Sequence, residues 1–184
     1  MSVHVEPEWV FTMGRNMQSE ERCIAWTAEV MEQLRELSPD VVILARARKR
    51  SDYRKGNSDE WAPGLVESLE AALLDLSAIS RQIVVIRDTP MLKIDLLKCL
   101  ATEPECVAKS KDFDDRSEAL VAAAKGTEFV KILDLRDMVC PGMECPALIG
   151  NIIVWRDFHH LTATYSRSIT PVFLKRISPL ISAH

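Results

Sequence analysis

Apolar positions along the chain recur at two spacings. Between residues 20 and 37 they fall a heptad apart, pairing Cys23 with Val30, Ile24 with Met31 and Val30 with Leu37, with Leu34 beside them. This is the stripe of an amphipathic helix, and Ser38-Pro39 ends it. Asp40 then opens Val41-Val42-Ile43-Leu44-Ala45, a continuous β-branched and aliphatic run that suits a strand covered on both faces. A polar stretch over residues 46–61 follows. Pro63 predicts the start of a second helix, whose Leu65, Val66, Leu69, Ala72, Leu73 and Leu76 share one face.

The alternation continues downstream. Ile83-Val84-Val85-Ile86 predicts a second buried strand, residues 114–124 a helix, and residues 129–135 a third strand. Ile152-Ile153-Val154-Trp155 reads as a short strand that delivers Arg156 to Thr162 to its carboxyl end. A last helix over 164–177 turns Tyr165, Ile169, Val172 and Phe173 inward. Helices alternating with uniformly apolar strands imply right-handed crossovers, hence an α/β fold, a three-layer sandwich around a mainly parallel sheet. A chain of 184 residues, 47% of them hydrophobic, can bury one sizeable core, and no linker or repeat divides it, so a single domain over 1–184 is expected.

Charge and cysteine content narrow the partners. The formal charge of -4 offers phosphate backbones no general attraction, so nucleic acid is not an expected partner. The clustered cations Arg46, Arg48, Lys49, Arg50, Arg54 and Lys55 read as a solvated loop, with steering of an anionic polymer as the alternative. No apolar run reaches the roughly 18 to 20 residues of a membrane span, and the first seven residues carry neither a basic start nor an apolar signal core. The five cysteines pull the other way. Cys99 with Cys106 and Cys140 with Cys145 are close pairs in loop-like segments, as in disulfides of an oxidising compartment, and Cys23 is left over. Free thiols or metal ligands are the other reading.

Candidate chemistry lies at Asp157 and His160. In open parallel sheets functional groups gather beyond the carboxyl ends of the strands. A carboxylate three residues ahead of an imidazole can accept a hydrogen bond from Nδ1 while Nε2 faces a nucleophile, which fixes the tautomer of a general base. The competing reading is structural, with Asp157 or Thr162 capping the last helix and His160 half-buried for packing. Asp88-Thr89-Pro90 could line a pocket or merely turn the chain. Arg156 could hold an acceptor or pair with Asp157. His159 beside His160, with the cysteines, raises zinc, but the Cys-x6-Cys and Cys-x4-Cys spacings are not the Cys-x2-Cys typical of structural sites.

Several stretches taken together resemble one family. Arg156-Asp157-Phe158-His159-His160-Leu161-Thr162-Ala163-Thr164-Tyr165-Ser166-Arg167 is similar to the final block of the SGNH domain found fused to, or partnered with, membrane-bound acyltransferase family three proteins. Ile86-Arg87-Asp88-Thr89-Pro90, Cys99 and Cys106, Asp134-Leu135 to Cys140, Cys145-Pro146 and Gly150-Asn151 follow that family's order, and Cys23-Ile24-Ala25-Trp26 before Ser38-Pro39-Asp40-Val41-Val42 is similar to its central part. The resemblance covers about 23–177 and implies a flavodoxin-like sheet. It also implies O-acyl transfer to, or ester hydrolysis on, a cell-envelope carbohydrate outside the cytoplasm, with a membrane acyltransferase domain as acyl donor and no metal or organic cofactor. Asp157 and His160 would be the catalytic acid and base.

The chain departs from the family at its start. The family's Gly-Asp-Ser-His block, which carries the nucleophile serine, occurs nowhere in this sequence. Ser2, near His4, has no strand before it to position it, and Trp9-Val10-Phe11 is what could remain of the family's second strand. Ala45-Arg46-Ala47-Arg48 stands where the wider group carries Gly-x-Asn, leaving Asn57 as a substitute oxyanion donor only by its loop. The resemblance implies that Cys23 pairs with a cysteine ahead of it in the family. The reading is therefore an N-terminally truncated domain missing its first, central strand. Such a chain exposes the edge of Val41–Ala45 and is expected to be poorly stable or to self-associate. A non-catalytic remnant, or an accessory module that binds a glycan or partner, is the alternative.

Overall fold

The computed structural model describes residues 17–46, 64–103, 105–114 and 119–181, which form two compact units. The first takes in residues 1–85 and 118–132, the second 86–117 and 133–184. Pro63 and the cations beyond Arg46 lie outside the described residues, as do Ser2, the Trp9 segment and Asn57.

The first unit holds α1 (Met17–Leu37), β1 (Val41–Ala45), α2 (Leu65–Ser77) and most of β2 (Gln82–Ile86). The three-stranded parallel sheet has the order β1, β2, then the later strand that returns from the helix at 119–125. The apolar runs form strands where expected, and the fold is α/β. Its core joins Met31 of α1 and Val42 of β1 with Leu65, Leu69, Leu73 and Leu76 of α2 and Ile83 and Val85 of β2. β2 is the central strand, and Ile83, Val84 and Val85 are buried on both faces. β1 is not covered in the same way. Among the described residues it lies at one edge of the sheet, and alternate residues face different surroundings: Val42 is buried, whereas Ile43 is 48% exposed. On α1, Met31 is buried but Trp26 is 65% exposed, so the apolar stripe is wider than the core that meets it among the described residues.

The second unit is built from short pieces. β3 (Met91–Leu92) pairs antiparallel with β5 (Phe113–Asp114), and β4 (Val107–Ala108) with β7 (Cys145–Pro146). Between them lies α3 (Leu96–Leu100), with Asp95 accepting a hydrogen bond from the Lys98 backbone as its N-cap. Of the expected helix over 114–124, the described part is α4 (Ala119–Lys125), which belongs to the first unit, whereas Asp114 pairs in β5. The third main strand, β6 (Val130–Leu133), ends before Asp134, whose carboxylate accepts from the Arg136 backbone at 2.9 Å and opens the turn of α5 (Arg136–Val139).

Ile152 and Ile153 do not form a strand of the main sheet. They are β9 (Ile152–Ile153), paired antiparallel with β8 (Leu148–Ile149) around Gly150 and Asn151. Both turn residues have positive φ, 56° and 63°, the backbone that a two-residue hairpin needs to follow strand twist. The last helix is divided into α6 (Ala163–Ser168) and α7 (Thr170–Ile181). Pro171 explains the break, since its missing N–H cannot continue the α6 ladder but is harmless in the first turn of a new helix. Tyr165 and Ile177 are buried as the inward face, with Ile169, Val172 and Phe173 half-buried. Disulfides join Cys99 to Cys106 and Cys140 to Cys145, which settles both close pairs and removes four thiols from any metal set.

Candidate active site

The segment that carries Asp157 is a closed loop in the second unit. Trp155, 1% exposed, bridges antiparallel to Leu161, and its indole N–H donates to the Pro146 carbonyl at 3.1 Å. The backbone N–H of Arg156 donates to the His160 carbonyl, and that of Thr162 to the Val154 carbonyl, each at 2.8 Å. A buried indole and two backbone bonds thus pin the base of the loop, leaving residues 157–159 at its tip.

Asp157 organises that tip. Its Oδ1 accepts from the backbone N–H of His159 at 3.0 Å and of His160 at 2.9 Å. Its Oδ2 lies 2.7 Å from His160 Nδ1. Oδ1 therefore shapes the backbone, while both oxygens face the imidazole, Oδ1 at 3.0 Å and Oδ2 closer. Partial burial works to raise the Asp157 pKa, but the backbone donors of His160 and His159, with the hydrogen bond and charge of the His160 ring, outweigh it. The carboxyl is held well below the ordinary aspartate range, so it stays an anion and an acceptor for Nδ1–H. The Asp157 and His160 side chains are 37% and 50% exposed, so the pair lies at the surface rather than in the core.

The capping alternative is resolved by residue. Thr162 is the N-cap of α6, accepting from the Tyr165 backbone at 3.1 Å and donating its hydroxyl to the Ile153 carbonyl. Asp157 caps no helix and is committed to His160. The Arg156 guanidinium reaches Asp157 only at 3.4 Å, a weak exposed pair.

Other residues fix where the loop sits. The Thr89 hydroxyl donates to the His159 carbonyl at 2.6 Å, and the Leu92 backbone to the Phe158 carbonyl at 2.7 Å. The segment after β2, read from sequence as turn or pocket lining, is thus a brace for the histidine loop. The next residue, Pro90, lines a cleft of about 420 Å³ with Phe113, Asp134, Arg136 and Met143; Asp157 and His160 do not line it. Carboxylates and guanidiniums interlock beside it: Arg87 with Asp134 at 2.9 Å, and Arg176 with both oxygens of Asp137 at 2.6 Å. Asp137 is lowered below its ordinary pKa chiefly by the Arg176 hydrogen bonds. Asp134, though partly buried, is lowered by the Arg136 backbone and by the charges of Arg136 and Arg87. Sequence offered no signal for these pairs beyond the Asp134-Leu135-Arg136-Asp137 run, because their partners are about 40 residues away or more.

Comparison with known proteins adds one finding. Residues 4–175 match the family of SGNH domains fused to AT3 domains, extending the resemblance seen from Cys23 onward nearly to the N-terminus. No curated protein and no solved structure matches the chain. Hydrolase and acyltransferase activity is the general character that this family carries. The fold and the matched residues lead to one assignment: this chain belongs to the family of SGNH domains that occur fused to AT3 acyltransferase domains.

Proposed function

We propose that Asp157 and His160 are the orienting carboxylate and general base of O-acyl transfer to, or ester hydrolysis on, a cell-envelope carbohydrate. The serine hydroxyl comes from outside the present sequence. The observation that carries this reading is the 2.7 Å contact between Asp157 Oδ2 and His160 Nδ1 at a half-exposed loop tip. With Nδ1–H held by the carboxylate, Nε2 is the free base. It takes the serine proton as the oxygen attacks the acyl carbonyl, then returns that proton to the leaving oxygen as the tetrahedral intermediate collapses. A sugar hydroxyl or water, deprotonated in turn by Nε2, releases the acyl group from serine. Asp157, kept ionised, stabilises the imidazolium at both steps.

Two disulfides support a site outside the cytoplasm, and family membership supports a membrane acyltransferase domain as the source of the acyl group. A chain extended with a family Gly-Asp-Ser-His segment should hydrolyse p-nitrophenyl acetate and be labelled on that serine by a fluorophosphonate. His160→Ala should lower the rate by a factor of about 10² to 10⁴. Equal rates in the two proteins would remove His160 from the mechanism.

The absence of the Gly-Asp-Ser-His block from the sequence favours a second reading, a module that binds a glycan or partner without turnover. It predicts saturable binding of an acetylated oligosaccharide that persists in His160→Ala, with no hydrolysis by the extended chain. In-frame coding sequence upstream of Met1 that encodes the block would count against it.

A further inference from the structure

The acyl-transfer reading makes no use of the His159 ring, yet that ring completes a donor set. Asp157, His159 and His160 each offer one ligand atom, and the three atoms lie within 4.8 Å of one another. His159 Nδ1 is 3.6 Å and His160 Nδ1 3.0 Å from the same oxygen, Asp157 Oδ1. In tetrahedral zinc, with bonds of about 2.0–2.2 Å, neighbouring donor atoms sit about 3.3–3.6 Å apart. Before any ion is added, the longer of these two spacings falls at the top of that range and the shorter lies below it by about 0.3 Å. The two rings lie side by side, centroids 3.8 Å apart, so both Nδ1 atoms approach one carboxylate.

We propose that this loop tip is a zinc site, with Asp157, His159 and His160 as the three protein ligands and water in the fourth position. Two imidazoles and a carboxylate suit a borderline-soft divalent ion rather than calcium or copper(I). Much of the ordering is already in place, because Asp157 accepts both backbone N–H groups and Thr89 holds the His159 carbonyl. All three side chains are between one-third and one-half exposed, so an ion can enter without opening the fold. The positive Arg156 guanidinium lies nearby but is mostly exposed, and solvent screens its repulsion.

As the zinc–nitrogen bond forms at Nδ1 of neutral His160, the ring proton moves by way of solvent to Nε2, and the Asp157–His160 hydrogen bond is lost. Ion and base function therefore exclude each other, and zinc is a reversible inhibitor of the proposed chemistry. The inhibition rests on the acyl-transfer reading; the binding does not.

The test is calorimetric titration of the full, disulfide-bonded chain with zinc chloride in a non-chelating buffer. One ion per chain is expected, with affinity reduced at least about tenfold in His159→Ala, since loss of even an outer-shell partner costs that much. A double variant, His4→Ala with His184→Ala, removes the remaining two of the four histidines and should bind as the parent does. His159→Ala leaves the Asp157–His160 contact in place, and a thermal melt matching the parent's shows that it folds. No saturable binding at about 1 mM zinc, full affinity in His159→Ala, or loss of binding in the double variant would each overturn the proposal. Because the readout is heat of binding to a chain without the serine block, the result is independent of whether acyl transfer occurs.

Discussion

Replacing Asp157 by asparagine keeps the shape of the side chain and removes its charge. Oδ1 already accepts two backbone N–H groups, from His159 and His160, and an amide nitrogen cannot take that place. The asparagine oxygen therefore occupies the Oδ1 position, and its NH₂ group takes the Oδ2 position, 2.7 Å from His160 Nδ1. Nδ1–H then meets a donor at the Oδ2 position and keeps only a neutral acceptor, the amide oxygen 3.0 Å away at the Oδ1 position, which weakens its hold and shifts the neutral ring toward the Nε2–H tautomer. A hydrogen bond to a charged acceptor contributes about 1.5–3 kcal/mol, and the half-exposed site places this one near the lower end. About 1.5 kcal/mol corresponds to roughly a tenfold preference between tautomers. The parent should thus hold neutral His160 about 90% as Nδ1–H, and Asp157→Asn should lower that share. Nitrogen-15 shifts of the His160 ring, recorded on the full chain above the imidazole titration, measure both populations and require no nucleophile. An Nε2–H majority in the parent, or an unchanged ratio in Asp157→Asn, would show that the carboxylate does not orient the ring.

Three further outcomes follow from the second unit. Tyr165→Phe removes the hydroxyl that donates to the Met138 carbonyl in a buried site, and chemical denaturation should show a loss of about 1–2 kcal/mol. The disulfides close loops with sequence separations of 7 and 5; replacing either pair with serines should cost about 2 kcal/mol on the chain-entropy estimate, read by the same assay. Asp157, Asp134 and Asp137 all titrate below the ordinary 3.8 in the folded chain. Their contribution is complete above that unfolded value and fades as pH falls further, so melting temperature should drop below about pH 4, less steeply in Asp157→Asn.

What the sequence made legible was local. Val41–Ala45 and Ile83–Ile86 announced strands by composition, and Asp157 with His160 could be paired because their contact spans three residues. The cysteine pairs were visible for the same reason. Contacts that depend on distant partners were not. Thr89 meets His159 across 70 positions and Arg87 meets Asp134 across 47, with no periodicity to mark either. The two-residue pairings of Met91–Leu92 with Phe113–Asp114 and of Leu148–Ile149 with Ile152–Ile153 are too short to leave an alternating pattern, and the second of them sets the role of Ile152. Exposure of Ile43 was the converse case: an apolar run fixes what a strand is made of, while its neighbours decide how much of it is covered.

Both covalent crosslinks fall in the unit that carries Asp157 and His160, and each spans fewer than ten residues. Ring closure of that kind needs no distant segment, so oxidation can proceed on a nascent stretch before long-range pairing is complete. A thiol-rich environment would therefore weaken the histidine-bearing half. The redox state of the surroundings thereby bears on how firmly the segment around Asp157 and His160 is held.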